Sequence, residues 1–273
     1  MPQIRHPVGS LGGMAPWAHQ PKGLSVGTIR SIRGTGRVLR VGATPVPHAE
    51  ILDHVRPALA RAGIDLHVEV FDTFDEPNHQ LVAGTIDANF FQYLPFLEEF
   101  NSSSAQHLVP VAPVHIEPFA LYSESVATLG AVPHYAQVAL PGDPANVGRA
   151  MRILHDLGLL TLRAGELSAP GVDAVIDNPK QLLFKEIASA HLADVLADFD
   201  LVFLFGNYAM DRQIDLRSAL YCDHANRDYA EYLVARQDNH QSEPIRLLAT
   251  ALQSESVRSF IARSYGGLVV PAF

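Results

Sequence analysis

An α/β protein built as two lobes with a ligand cleft between them is the fold this sequence predicts. Three observations point there. Strand and helix patterns alternate from Val38, a second alternating unit begins at Gln137, and a late strand near Tyr232 can carry the chain back to the first unit. In sheets covered by helices, ligands sit at the carboxyl ends of strands, so the polar candidates are expected at the cleft.

The elements follow in order. Residues 38–44 read as a strand, and residues 49–62 place Ile51, Val55, Ala58, Leu59 and Ala62 at helical spacing before Gly63 stops the helix. Residues 66–71 alternate as a second strand. After a polar turn with Pro77, residues 78–83 form a short helix ended by Gly84, and residues 86–91 give another strand. This alternation implies a largely parallel sheet. The second unit comprises strand 137–141, the helix carrying Arg149, strand 182–187, a helix around 191–196 and the apolar run 201–205, which suits a strand covered on both faces. Asn207, Tyr208 and Ala209 then open a helix, residues 232–236 form a strand, and two amphipathic helices close the chain over 244–265. The link between units is expected near 114–123. No internal repeat is visible.

Composition excludes several classes. The 273 residues are 48% apolar and 18% charged, which describes a soluble globular protein, and no stretch approaches the roughly 18 apolar residues of a membrane span. A formal charge of -9 argues against a nucleic-acid partner. The single cysteine, Cys222, excludes an internal disulfide and a Cys-rich zinc site. Residues 1–37 are basic and rich in Gly, Pro and Ser, and are expected to be disordered or processed. They show no continuous apolar core of a signal peptide and no cysteine that could take a lipid.

The most informative stretch is LPGDPANVGRAMRIL, residues 140–154. Asp143 is placed to cap a helix and Pro144 to occupy its first position. Val147, Ala150, Met151 and Leu154 make one apolar face, which leaves Asn146 and Arg149 near the positive end, where a carboxylate is favoured. Arg149 adds a planar fork for that carboxylate. A capped surface helix with a solvated arginine is the plainer alternative. Thirteen histidines show no compact ligand spacing, so no metal is expected. Nucleophile elbows, P-loops and dinucleotide fingerprints are missing, so neither a catalytic residue nor a cofactor is expected. What remains is a binding constellation: Arg149, Asn146 and Asn207 for the two ends of a zwitterion, with aromatics Phe71, Phe74, Phe90, Phe91, Tyr93 and Phe96 nearby. Aromatic faces also suit thioether sulfur. Phe90 and Phe91 are consecutive, so in a strand only one can face the cleft.

Six segments, VGATPVPHAEIL, PNHQLVAGTIDANFFQYLPFL, EPFALYS, LPGDPANVGRAMRIL, GNYA and GGLVVPAF, occur here in the order found in a known family. Over residues 40–273 the chain resembles the NlpA family of methionine-binding lipoproteins, the substrate-binding components of bacterial methionine ABC importers. The resemblance implies a monomeric, non-enzymatic binding protein of the cell envelope with a type II-like periplasmic-binding-protein fold. Such a protein closes on free methionine and delivers it to a permease driven by an ATPase. Lobe I would comprise residues 38–115 plus 225–273, and lobe II residues 116–224. By motif position Arg149 would hold the ligand carboxylate and Asn207 the amino-acid head, with Phe74, Phe91 and Tyr93 around the side chain. The sequence departs from the family pattern at Gly142, where PNDP is usual, at Phe74 for Tyr, at Tyr93 for His, and at Glu231 for an Asn near the ligand head. A carboxylate at Glu231 would attract an ammonium and repel a nearby carboxylate. Another small amino-acid derivative or a dipeptide, a sensor role without export, and an enzyme reusing the fold are the alternatives.

Overall fold

Apolar residues switch between a period of two and a period near 3.6 over residues 37–103, and the backbone follows that switch. The computed structural model describes residues 36–165, 170–223 and 226–273; of the segment 1–37 expected to be disordered or processed, residues 1–35 lie outside them, and Arg37 already belongs to a strand. The first part contains β1 (Arg37–Ala43), α1 (Glu50–Arg61), β2 (Ile64–Val70), α2 (Glu76–Ala83), β3 (Ala88–Tyr93), α3 (Leu94–Ser103) and β4 (Leu108–Ile116). Next come β5 (Phe119–Tyr122), β6 (Gln137–Pro141), α4 (Pro144–Asp156), β7 (Thr161–Leu162), β8 (Val175–Asp177), β9 (Leu183–Ile187), β10 (Leu201–Phe205), α5 (Gly206–Asp211) and β11 (Tyr221–Asp223). The chain ends with β12 (Ala230–Arg236), α6 (Glu243–Leu252), α7 (Glu255–Ser264) and β13 (Val270–Pro271).

Two principal sheets organise these elements, in strand orders β13-β4-β12-β3-β1-β2 and β11-β5-β10-β6-β9. The expectation of largely parallel sheets needs correction. β1 runs parallel to β2 and β3, but β12 is antiparallel to both β3 and β4. In the second sheet β6 is parallel to β9 and β10, whereas β5 is antiparallel to β10 and β11. The reason is topological: β12 returns from the second sheet and inserts between strands laid down earlier.

The link expected near 114–123 is found within that range and is narrower than expected. β4 and β5 occupy most of it, and only Glu117 and Pro118 lie between them. Pro110 and Pro113 obscured β4, because proline cannot donate to a ladder; β12 accommodates this stretch with register shifts at Glu231/Tyr232 and Leu233/Val234. The helix expected around 191–196 is two 3-10 turns, Ser189–His191 and Ala193–Val195, with only Leu192, between them, fully buried. One apolar anchor does not sustain a longer helix.

Each sheet has its own core. Val41, Leu52, Phe90, Leu233, Leu248 and Ile261 pack about the first, while Phe119, Val138, Met151, Leu154 and Phe203 pack about the second. β10 is buried along its whole length, as its uninterrupted apolar sequence requires. The chain passes between sheets at Glu117–Pro118 and returns between Asp223 and Ala230. The first crossing borders the cavity described next. Among the described residues no helix is long and apolar enough to cross a membrane.

Candidate ligand-binding site

The first turn of α4 is fixed by its own sequence. Asp143 Oδ1 accepts the backbone N–H of Asn146 at 2.9 Å, and both carboxylate oxygens accept from Asn146 Nδ2 at 2.9 Å. Gly142 suits the tight approach here, since a Cβ would stand 3.3 Å from the Ile187 carbonyl oxygen. Burial raises the Asp143 pKa, and the bonds from Asn146 oppose that rise. One turn later Arg149 lies 4% exposed, which rules out the solvated-arginine alternative. Its Nε and Nη2 donate to Asp223 Oδ2 at 3.3 and 3.0 Å. Its guanidinium lies 3.7 Å from the Tyr229 ring centroid and 4.8 Å from that of Phe119. Ion pair and ring contacts leave Nη1 without a hydrogen-bond partner among the described residues.

From the first sheet, β3 sends Phe90 into the core and Phe91 and Tyr93 into the cavity, as strand alternation demands. Behind β3 a buried amide network locks the strand: Asn78 Nδ2 donates to Gln92 Oε1 at 2.9 Å, and Asn89 Nδ2 to Asn78 Oδ1 at 2.8 Å. The Tyr93 hydroxyl donates to Asn146 Oδ1, tying β3 of one sheet to α4 beside the other. Phe74 meets Tyr208 and Phe205 with centroids 5.0 and 5.3 Å apart. Phe71, by contrast, belongs to a separate apolar cluster with Leu81 and Ile86 and lies outside the cavity.

Asn207 is set by a close backbone approach. Gly206 N–H donates to the Pro118 carbonyl at 2.8 Å, and a Cβ on Gly206 would come within 2.7 Å of Pro118 Cδ. The next side chain, Asn207, is therefore delivered to the cavity with its Oδ1 buried and unpartnered. Glu231 lies on β12 between Tyr93 of β3 and His115 of β4. Its Oε2 is also buried and unpartnered. Burial, then the neighbouring Glu117, holds the Glu231 pKa well above the ordinary carboxylate range, with Arg149 pulling the other way.

Arg149, Asn146, Asn207, Phe74, Phe91, Tyr93 and Glu231 all line one narrow cavity between the two sheets. One end carries the guanidinium, amides and carboxylates, and the other is aromatic. Sequence reasoning missed Glu117, His48 and Phe205, which line the same cavity, and Asp223, which holds Arg149. His48 and Glu117 sit inside two of the six quoted segments, a signal that was there to be read. Asp223 had none, because its partner is 74 positions away. Among the described residues, His48, His115 and Glu117 are the group that could hold a metal ion.

Two sheets joined by two crossings, with a polar and aromatic cavity between them, define a two-lobed substrate-binding protein. Residues 39–273 match the family model for NlpA lipoprotein. The chain belongs to that family. It is 33% identical to the methionine-binding lipoprotein MetQ of Bacillus subtilis over 240 residues, 85% of this chain and 86% of that one. Among solved structures it resembles a nutrient-binding protein from Burkholderia cenocepacia bound to methionine, with a TM-score of 0.83 and 29% identity over 86% of this chain and all of that one. It also resembles a periplasmic substrate-binding protein of an ABC transporter from Coxiella burnetii, with a TM-score of 0.81 and 29% identity over 86% of this chain and all of that one.

Proposed function

We propose that this protein captures L-methionine or a close analogue in the cavity between its sheets and delivers it to the permease and ATPase of an ABC importer. The observation that carries this reading is the polarity of the cavity. Arg149 supplies a buried cation with Nη1 available for a carboxylate, Asn207 and Glu231 supply unpartnered acceptors for an ammonium, and Phe74, Phe91 and Phe205 supply an apolar end for a thioether. Asn146 acts differently from a free ligand donor: its amide bridges Asp143 and Tyr93, so it shapes the site by joining the lobes. Residues 38–115 with 225–273 form lobe I and residues 116–224 form lobe II, and the protein works as a monomer at the cell envelope. Binding, without any bond made or broken, is its activity.

Glu231 favours a second reading, in which the ligand is another small amino-acid derivative or a dipeptide whose ammonium is held more strongly than its carboxylate. A thermal-shift panel separates the two. Protein unfolded and refolded to strip carried-over ligand is scanned with the twenty L-amino acids, D-methionine, methionine sulfoxide and Gly-Met. A ligand at 100 times its Kd adds about 2.7 kcal/mol to stability. A selective rise with methionine supports the first reading, and a rise confined to other compounds replaces it with the second.

A further inference from the structure

Three buried side chains on the cavity wall, His48, Glu117 and Glu231, and His115 behind them have a chemistry that is not that of an amino-acid pocket alone. We propose that His48, His115, Glu117 and Glu231 form a site for one divalent transition-metal cation of the zinc type. One ligand atom from each of His48, His115 and Glu117 lies within 4.8 Å of the others. His115 Nε2 is 2.8 Å and His48 Nε2 3.2 Å from Glu117 Oε1, and Glu231 Oε2 is 3.9 Å from His48 Nε2. Ligand atoms around a tetrahedral zinc ion lie about 3.3 Å apart, given metal-ligand bonds of about 2.0–2.1 Å. The separations of 2.8, 3.2 and 3.9 Å lie about that value, while the His48, His115 and Glu117 atoms reach out to 4.8 Å, so side-chain rotation would have to close the cage and bring Glu231 into it.

Two further observations favour a cation over a closed hydrogen-bond network. His48 Nε2 and Glu231 Oε2 are both buried without a hydrogen-bond partner. The nearest fixed cation, Arg149, is already given to Asp223. Glu117 and Glu231 share this buried wall, and a dication bound there would let both be held as carboxylates. The outer shell also fits: Thr44 Oγ1 lies 2.7 Å from His48 Nδ1, which fixes that ring with Nε2 toward Glu117. His115 has no such outer partner and is the more weakly fixed ligand. His48, Glu117 and Glu231 line the cavity, so a bound ion would face it. Imidazole with carboxylate suits Zn2+ and its borderline neighbours rather than Mg2+ or Ca2+.

The site shares the cavity, and Glu231, with the amino-acid site of the proposed function, so the two are tested apart. Its test uses the full chain without a histidine tag, treated with chelator and titrated with Co2+ in the absence of amino acids. One equivalent is expected to give the visible absorption of a four- or five-coordinate site, displaced by one equivalent of Zn2+. Glu231→Gln and His115→Gln should each weaken binding at least tenfold with unchanged circular dichroism. Absence of the cobalt spectrum in the parent protein would overturn the proposal, whatever the variants do. So would a spectrum that both variants retain at full affinity, since that would put the ion on other histidines. Methionine binding is measured separately in chelator, so failure of one reading is distinguishable from failure of the other.

Discussion

At the scale of single residues, the account turns on Arg149 and Glu231. Arg149 is held between the Asp223 carboxylate and the Tyr229 ring, so its position does not depend on ligand. Arg149→Ala is expected to cost roughly 2–5 kcal/mol of ligand affinity, the range for removing one partner of a buried charge pair, while circular dichroism stays unchanged. Calorimetric titration checks this. Glu231 makes a prediction about pH. Its folded-state pKa is raised, so the folded protein keeps a proton that the unfolded chain loses above about pH 4.3. The folded state then binds more protons than the unfolded one, and stability falls as pH rises from there through the raised value. Glu231→Gln should flatten that decline and raise the neutral-pH Tm of ligand-free, chelator-treated protein. Melting curves between pH 4.5 and 8 would expose an error if the variant were less stable at pH 8 than the parent.

At the scale of elements, two short turns place the polar groups. Gly206→Ala forces a methyl against Pro118 at the start of α5, and the strain is expected to cost about 1–3 kcal/mol and to weaken ligand binding by moving Asn207. Urea unfolding and titration of the same variant read the two effects. At α4, Asp143→Asn keeps an acceptor for the Asn146 N–H, while Asp143→Ala loses it and should cost about 0.5–2 kcal/mol. Equal stability of the two variants would show that the cap is idle. These elements were also the most legible in sequence. The α4 helix, its cap and its apolar face follow from the local order of Asp143, Pro144, Val147, Ala150, Met151 and Leu154. Strand β4 did not announce itself, because Pro110 and Pro113 hide a strand whose pairing is set by β12, more than a hundred residues later. The direction of β12 was equally hidden, since no local pattern tells a returning strand from a continuing one.

At the scale of the molecule, function follows from how two independently cored sheets share one cavity. Each sheet could be anticipated from periodicity, and the family from six ordered segments. What sequence order could not convey was the charge balance of the cavity: Asp223 beside Arg149, and Glu117 and Glu231 beside His48 and His115. Such groups meet only after the chain has crossed between sheets twice. The Tyr93 to Asn146 hydrogen bond is a direct link across the cavity, so Tyr93→Phe should loosen closure and speed ligand release with little change in Tm. Stopped-flow dissociation measures that, and an unchanged off-rate would remove the link from the mechanism. The proposed binding of methionine through Arg149 is read by calorimetric titration of L-methionine into stripped protein and into its Arg149→Ala variant. Saturable one-to-one binding is expected in the parent, and its loss in the variant. No heat with the parent, or equal affinity in both, would contradict that reading.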